Sequence, residues 1–230
     1  PPTSNSNFER AYHWDGIKSP DVFSGFQACP TTYPLGVPCN ATGYAMPFQD
    51  SSYAGVATER TDTSITDFFY HGEYITQKLK KKLRRGAEYR FSFQTIQSDT
   101  SEGYFENAFV LFSKEDLSTM LQWQFNILIR KQSQYFPFTT DTLNWQKAEY
   151  TFTAGGGEQY ILFGILDSAK YFIPYRLPLP PFLGPVLQVT TYYYIDDVRL
   201  VELPDTLSSE LTLPNTFTPN GDLQNDVWRP

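Results

Sequence analysis

The sequence predicts an all-β protein whose main part is a sandwich of two sheets. Phe, Tyr and Trp, which favour strands, make up 17% of the 230 residues, and Ala-rich helical stretches are missing. Short segments in which apolar and polar residues alternate recur along the chain, separated by clusters of Gly, Pro, Ser, Asp and Asn. Short strands at this spacing are typical of a β-sandwich.

The alternation is clearest at residues 88–94, where Tyr89, Phe91 and Phe93 face one way and the polar residues between them face the other. The same period predicts strands at residues 53–58, 73–79, 108–112, 124–130, 146–152, 160–165 and 192–201. Residues 115–120 are predicted to form one short helical turn, and no longer helix is expected.

The chain is predicted to contain three parts. We assign residues 1–203 to the sandwich and residues 204–213, with their Pro, Asp and Ser, to a linker. Residues 214–230 begin a second, small β domain, which we expect to be incomplete. A sandwich of this length buries a full core without help from a metal or a disulfide.

Residues 173–185 contain five prolines and cannot form an interior strand, because proline donates no hydrogen bond to a neighbouring strand. We expect a protruding loop. Its apolar side chains either fold back on the sandwich or contact a partner; they are Leu177, Leu179, Phe182 and Leu183.

Charge is unevenly distributed along the chain. The net charge is −7, yet six of the eighteen basic residues lie within residues 78–85, so the remainder carries −13. Nucleic acid is therefore not expected as a partner. The basic run could contact acidic lipid or polysaccharide. Alternatively, Leu79 and Leu83 anchor a strand end and turn whose charges are solvated, and the sequence favours this second interpretation.

Cys29 and Cys39, the two cysteines, flank a Pro-rich segment with little core of its own. A disulfide between them implies an oxidising compartment, whereas two free thiols would fit the cytosol. No apolar run reaches the length of about 18 residues that a membrane helix needs. The first residues have no signal-peptide pattern, so we expect that a signal peptide has been removed if the protein is exported.

Two adjacent acidic residues lie in the last predicted strand. Asp196 and Asp197 would point to opposite faces of a regular strand, which would drive one of them toward the apolar side. A structural calcium ion could satisfy that carboxylate, with Glu9 and Asp50 as further ligands. The alternative is a hydrogen-bonded carboxylate or a pair with arginine.

The C-terminal segment reads L-P-N-T-F-T-P-N-G-D-L-Q-N-D-V-W-R-P and closely resembles the opening of the gliding-motility-associated C-terminal domain of Bacteroidetes. Leu223 departs from it, since the family commonly has glycine there. The resemblance implies a cargo of the type IX secretion system, handled by the outer-membrane translocon and its shuttle protein and left at the cell surface. The residues expected to contact the translocon are Phe217, Pro219, Asn220, Gly221, Asp222, Asn225 and Asp226.

Residues 5–202 resemble a jelly-roll domain of Bacteroidetes surface proteins through scattered motifs, chiefly N-S-N-F-E near the start and Y-Y-Y-I-D-D-V near the end. Its wider relatives are galactose-binding-like and carbohydrate-binding modules, in which these two ends commonly hold a structural calcium. The resemblance implies a two-sheet jelly-roll β-sandwich. Exposed rings could stack on sugars, or each could have a packing role; the candidates are Trp123, Tyr135, Phe136, Trp145, Tyr171 and Tyr175.

Three Asp-Ser/Thr-apolar triplets resemble the O-glycosylation pattern of Bacteroidetes, with acceptors Thr142, Ser168 and Thr206. Signals for catalysis are poor, because the chain has two histidines and lacks G-x-S-x-G and H-E-x-x-H. A glycosidase-type carboxylate pair, such as Glu102 with Glu106, is the remaining enzymatic alternative.

We therefore predict a non-catalytic binding or assembly protein, secreted or held at the outer membrane, that acts as an adhesin or a gliding-associated component. The alternative is a carbohydrate-binding module that recognises a polysaccharide.

Overall fold

A computed structural model of the protein describes residues 15–17, 20–26, 29, 35–62, 68–101, 103–105, 107–118, 128, 133–137, 141–165, 173–174 and 187–204. The strands within these ranges are β1 (Asp15–Ile17), β2 (Asp21–Ser24), β3 (Cys39–Asn40), β4 (Gly43–Tyr44), β5 (Ser52–Asp62), β6 (Phe68–Gly72), β7 (Tyr74–Lys78), β8 (Glu88–Gln97), β9 (Gly103–Tyr104), β10 (Asn107–Ser113), β11 (Gln134–Pro137), β12 (Gln146–Thr153), β13 (Tyr160–Ile165), β14 (Ile173–Pro174) and β15 (Leu187–Glu202).

The strands form two packed sheets, the all-β jelly-roll sandwich that the sequence predicts. One sheet has the order β1-β7-β13-β10-β11, and the other has the order β12-β8-β15-β5-β2, with β6 also paired to β5. The long strand β15 lies between β8 and β5 and is antiparallel to both. Two short pairs, β3 with β4 and β9 with β14, lie outside these sheets.

The core between the sheets is built from the side chains that point inward at alternate positions along the strands. Phe91 and Phe93 of β8 meet Phe163 of β13, with ring centroids 5.1 and 5.4 Å apart. Burial of each such ring stabilises the fold by about 1.5–3 kcal/mol. Tyr193 is fully buried as well, and its hydroxyl accepts a hydrogen bond of 2.7 Å from the backbone N–H of Phe105.

The same alternation sends Tyr192 and Tyr194 of β15 to the opposite, outer face of the six-stranded sheet. There they form the outer cluster, whose buried members are Phe23, Val37, Ala45, Tyr53, Ile96, Tyr192 and Tyr194. Residues 35–49 cover this cluster, since Val37 and Ala45 are buried in it. The outer cluster therefore fixes residues 35–49 on the sheet.

Gly55 permits the close packing of the outer cluster. A Cβ atom at this position would lie 2.5 Å from the Tyr192 hydroxyl oxygen and 2.6 Å from Cε2 of Phe23. Any larger residue would therefore displace one of these rings.

A second apolar layer covers the outer face of the five-stranded sheet. It contains Tyr74, Phe109, Leu111, Leu117 and Leu162. Tyr135, a predicted sugar-stacking residue, is half-buried there with its ring 6.3 Å from Phe109, and Phe136 is buried in the main core. Phe136 has the packing role that was the alternative for it, whereas sugar stacking by the half-buried Tyr135 stays a prediction.

Most predicted strands are present. Residues 53–58, 88–94, 108–112, 146–152, 160–165 and 192–201 lie inside β5, β8, β10, β12, β13 and β15, of which β5, β8 and β15 are longer than predicted, and residues 73–79 exceed β7 by one residue at each end. Of residues 124–130, only Leu128 belongs to the described ranges. The helical turn predicted from residue 115 is wrong for residues 115–118, because the Asp116 carboxylate accepts the Ser118 N–H in a local turn instead.

Candidate functional site

A disulfide links residues 35–49 to Cys29, and a network of hydroxyl groups ties them to the sheet. The predicted disulfide joins Cys29 to Cys39, with Cα atoms 5.8 Å apart. The Asn40 side chain donates to the Tyr53 hydroxyl and accepts from the Tyr194 hydroxyl, both at 3.0 Å. Burial raises the pKa of Tyr53 and of Tyr194, because a buried phenolate would lose its hydration.

The segment at residues 44–48 exposes a row of apolar side chains. Tyr44 and Met46 are each 50% exposed and Phe48 is 41% exposed, whereas Ala45 is buried and its carbonyl accepts a 3.1 Å hydrogen bond from Tyr53. Because side chains of an extended segment alternate, burying Ala45 turns its neighbours outward. The exposure of these three side chains is thus a consequence of how the loop is anchored.

Two further apolar side chains lie in the turn before β12, and one of them, Trp145, contacts this row. The indole N–H of Trp145 donates a 2.8 Å hydrogen bond to the Met46 carbonyl, and its ring lies 6.2 Å from that of Phe48. Leu143 is 85% exposed. We call these five residues the apolar patch: Tyr44, Met46, Phe48, Leu143 and Trp145.

The turn that carries Leu143 is locally stabilised. The Asp141 carboxylate accepts backbone N–H bonds from Leu143 at 2.7 Å and Asn144 at 3.1 Å, which lowers the pKa of Asp141. Thr142, a predicted O-glycosylation acceptor, is half-buried within this turn.

Asp196 anchors the apolar row at Phe48. Its Oδ2 atom accepts hydrogen bonds of 3.0 Å from the backbone N–H groups of Phe48 and Gln49, and its Oδ1 atom accepts one of 2.7 Å from Asp197. Burial raises the pKa of Asp196, and these three bonds oppose the rise. Asp196 therefore positions the backbone that carries Phe48.

A β-bulge changes the predicted geometry of the two aspartates. Between the pairs Asp196–Gln94 and Arg199–Ser92, two residues of β15, Asp197 and Val198, stand against the single residue Phe93 of β8, and Asp197 has a φ of 49°. The expectation that one carboxylate is driven into the apolar side is wrong, because the extra residue interrupts the alternation. Asp197 instead accepts a 2.7 Å hydrogen bond from Nε of Arg199.

Asp196 is a hydrogen-bonded carboxylate and Asp197 is paired with an arginine. These are the two arrangements that the sequence offered as the alternative to calcium. Asp50 is exposed at a φ of 54°. In the part of the chain that the structure describes, no group of three or more His, Cys, Asp or Glu side chains could hold a metal ion. Glu9 lies outside that part, so calcium binding stays a prediction.

The outer face of β12, β8 and the end of β15 forms a polar surface beside the apolar patch. Cross-strand pairing aligns it in three rows: Lys147, Gln94 and Asp196, then Glu149, Ser92 and Arg199, then Thr151, Arg90 and Val201. We call these rows the open face. Its cations are paired, because Glu149 contacts Lys147 and lies 3.8 Å from Arg90, and Asp197 pairs with Arg199.

Alanine at Asp196 tests whether this side chain holds the loop. We expect Asp196→Ala to lower the free energy of unfolding by about 2 kcal/mol, because three N–H groups lose a charged acceptor. The matched control is Asp116→Ala, which removes the acceptor of an exposed local turn and should cost less than about 1 kcal/mol. Urea denaturation measures both, and equal losses would contradict the anchoring role.

Many predicted site residues lie outside the described ranges. They are Glu9, Trp123, Tyr171, Tyr175, Ser168, Thr206 and all residues of the sorting segment, Phe217, Pro219, Asn220, Gly221, Asp222, Asn225 and Asp226. Glu102 and Glu106 lie outside them too. Sequence reasoning missed Tyr44, Met46 and Phe48, although their alternation with Ala45 and Pro47 was a usable signal.

Over the ranges that the structure covers, no helix has the length and hydrophobicity to cross a membrane.

No protein-family model matches the sequence, and no curated protein does. Among solved structures, the chain is similar to the CBM22-1 xylan-binding domain of Paenibacillus barcinonensis Xyn10C, at 10% identity and a TM-score of 0.38, over 82% of this chain and 85% of that one. It is also similar to the K1 cleaved adhesin domain of Lys-gingipain from Porphyromonas gingivalis, at 12% identity and a TM-score of 0.40, over 83% and 90% of the two chains. Similarities this weak say nothing about what this chain binds.

Proposed function

We propose that this chain is a non-catalytic, cell-surface adhesin or assembly module that binds a protein partner through the apolar patch. The observation that carries the proposal is the exposure of Tyr44, Met46 and Phe48 in one row that Trp145 contacts, with the exposed Leu143 two residues before that tryptophan. Contiguous exposed apolar groups mark interaction sites, and aromatic residues and Met are enriched in protein interfaces.

The patch is also held in place before a partner arrives. Asp196 fixes the backbone of Phe48, the Trp145 indole bonds the Met46 carbonyl, and the outer cluster buries Ala45 beneath the row. A surface that is already ordered loses little conformational entropy on binding. This rigidity favours a specific binding role over a loop that is only solvated.

The patch can be tested by substitution. We expect Met46→Ser with Phe48→Ser to weaken capture of a surface partner at least about tenfold, because central aromatic and apolar residues dominate interface energies. The matched control is Phe26→Ser, which changes an exposed ring outside the patch and should leave capture unchanged. Pull-downs from extracts of the producing cells, with unfolding curves for each variant, give the measurement. A partner retained equally by both variants would refute the proposal.

The open face favours one second candidate, a polysaccharide ligand. Its three rows, whose side chains are polar except for Val201, begin beside the rings of Phe48 and Trp145, which suits hydrogen bonding and stacking with sugar rings. Titration calorimetry against plant, algal and host polysaccharides separates the two candidates. Binding that is lost in Gln94→Ala, while protein capture persists, supports the glycan, and no binding to any glycan removes it.

We further propose export by the type IX secretion system, with the translocon and shuttle protein as transient partners. The support is the sequence of residues 213–230, together with a disulfide that fits an oxidising compartment. Deletion of residues 217–226 with whatever follows them is expected to leave the protein in the periplasm. Unchanged release into the medium or onto the cell surface would contradict export by this route.

A further inference from the structure

The basic loop, residues 79–87 between β7 and β8, concentrates positive charge on an acidic protein. The side chains of Lys80, Lys81, Lys82, Arg84 and Arg85 are all exposed. The loop lies at the start of β8, whereas the apolar patch lies near the end of that ten-residue strand. Phe48 is bonded to Asp196, which pairs with Gln94 of β8, so about 20 Å of strand separates the patch from the loop and the two surfaces can act independently.

The basic loop is firmly built. Leu83 is buried against Tyr89 and Ala154. The backbone N–H of Leu83 donates to the Glu158 carbonyl at 2.9 Å, and that of Gly157 returns a bond of 3.0 Å to the Leu83 carbonyl. These contacts confirm that leucines anchor the run, and they fix the backbone that carries the charged side chains.

The cations of the basic loop are mostly left without carboxylate partners. Arg84 pairs with Glu202, and the charge of Lys81 also lowers the pKa of that carboxylate. Among the described residues, Lys80, Lys82 and Arg85 make neither an ion pair nor a hydrogen bond. The Glu158 carboxylate beside the loop accepts the Gly156 N–H instead. On the open face, by contrast, Arg90, Lys147 and Arg199 all have acidic partners.

Unpaired like charges held close together repel one another, and their field attracts a polyanion. We propose that the basic loop binds an acidic polysaccharide, through its carboxylate, sulfate or phosphate groups. A hydrated polysaccharide fits better than a bilayer, because Leu83 is buried and Leu79 half-buried, which leaves no exposed leucine in the loop to enter the lipid. The acidic remainder of the chain confines the contact to this one loop.

The test compares charge removal with charge retention. The triple variant Lys80→Gln, Lys82→Gln, Arg85→Gln should bind dextran sulfate and alginate at least about tenfold more weakly than the wild type does. The matched control, Lys80→Arg, Lys82→Arg, Arg85→Lys, keeps the charge and should bind within about twofold of the wild type. Wild-type binding should weaken as salt rises, and neutral dextran should not bind.

Calorimetry or biolayer interferometry gives the affinities, and thermal unfolding shows that both triple variants are folded. The inference is overturned if neither polyanion binds the wild type, or if the glutamine variant binds as tightly as the charge-retaining control. Binding to phosphatidylglycerol vesicles without binding to either polysaccharide also overturns it, in favour of a membrane contact. Because the apolar patch is intact in every variant, these outcomes are independent of the proposed protein partner.

Discussion

Replacement of Tyr194 by alanine is expected to destabilise the protein by about 3–5 kcal/mol and to release residues 35–49 from the sheet. The Tyr194 ring is fully buried, with centroids 4.9 Å from Tyr53 and 5.5 Å from Phe23. Its removal leaves a cavity at the centre of the outer cluster. The lost hydroxyl also bonds Asn40 and lies 3.0 Å from the Thr42 hydroxyl oxygen, which ties the loop to the sheet.

Two matched variants separate the ring from the hydroxyl and the loop from the core. Tyr194→Phe keeps the packing and should cost about 1–2 kcal/mol, the value of its hydrogen bonds. Tyr193→Ala removes an equally buried ring on the core side and should cost as much as Tyr194→Ala without selectively exposing the loop. Hydrogen exchange measures the protection of residues 35–49 in each variant. Retained protection of that segment in Tyr194→Ala would refute the anchoring role of the outer cluster.

Loss of the disulfide should have the second-largest effect. We expect the double variant Cys29→Ala, Cys39→Ala to lose about 2–4 kcal/mol, because the bond closes a loop between positions ten residues apart and restricts the unfolded chain. Residues 35–49 would also lose their covalent link to Cys29, since Cys39 belongs to this segment. Guanidinium unfolding curves give the value.

Measuring the stability of both proteins with and without a reductant is the internal control for the disulfide. Dithiothreitol should bring the wild type to the stability of the double variant and should leave the double variant unchanged. If full reduction of the disulfide leaves the unfolding curve of the wild type unchanged, the bond adds nothing to the stability of the fold.

The fold was predictable because alternation was strong where strands are long. Tyr89, Phe91 and Phe93 face the core as their spacing predicts, and Tyr193 does so in β15. The strands β1, β2 and β11 were not predicted, since three or four residues are too few to establish a period. Their pairing is set by neighbouring strands and not by their own sequence.

The candidate site was less predictable because it depends on distant contacts. Alternation alone cannot tell that Tyr192 and Tyr194 are buried too, since a sheet face is buried only if another segment covers it. Residues 35–49 supply that cover, and the cover in turn exposes Phe48. The bulge at Asp196 escaped sequence reasoning for the same reason, because it needs a register shift against β8.

The binding role of the apolar patch can be observed on living cells with a photo-crosslinking side chain at position 48, compared with the same side chain at position 26. Both native residues are exposed phenylalanines, and only Phe48 belongs to the patch. A discrete crosslinked protein adduct from position 48, with none from position 26, is the predicted result. Adducts of equal yield from both positions, or none from position 48, would contradict the assignment of the patch as a protein-binding site.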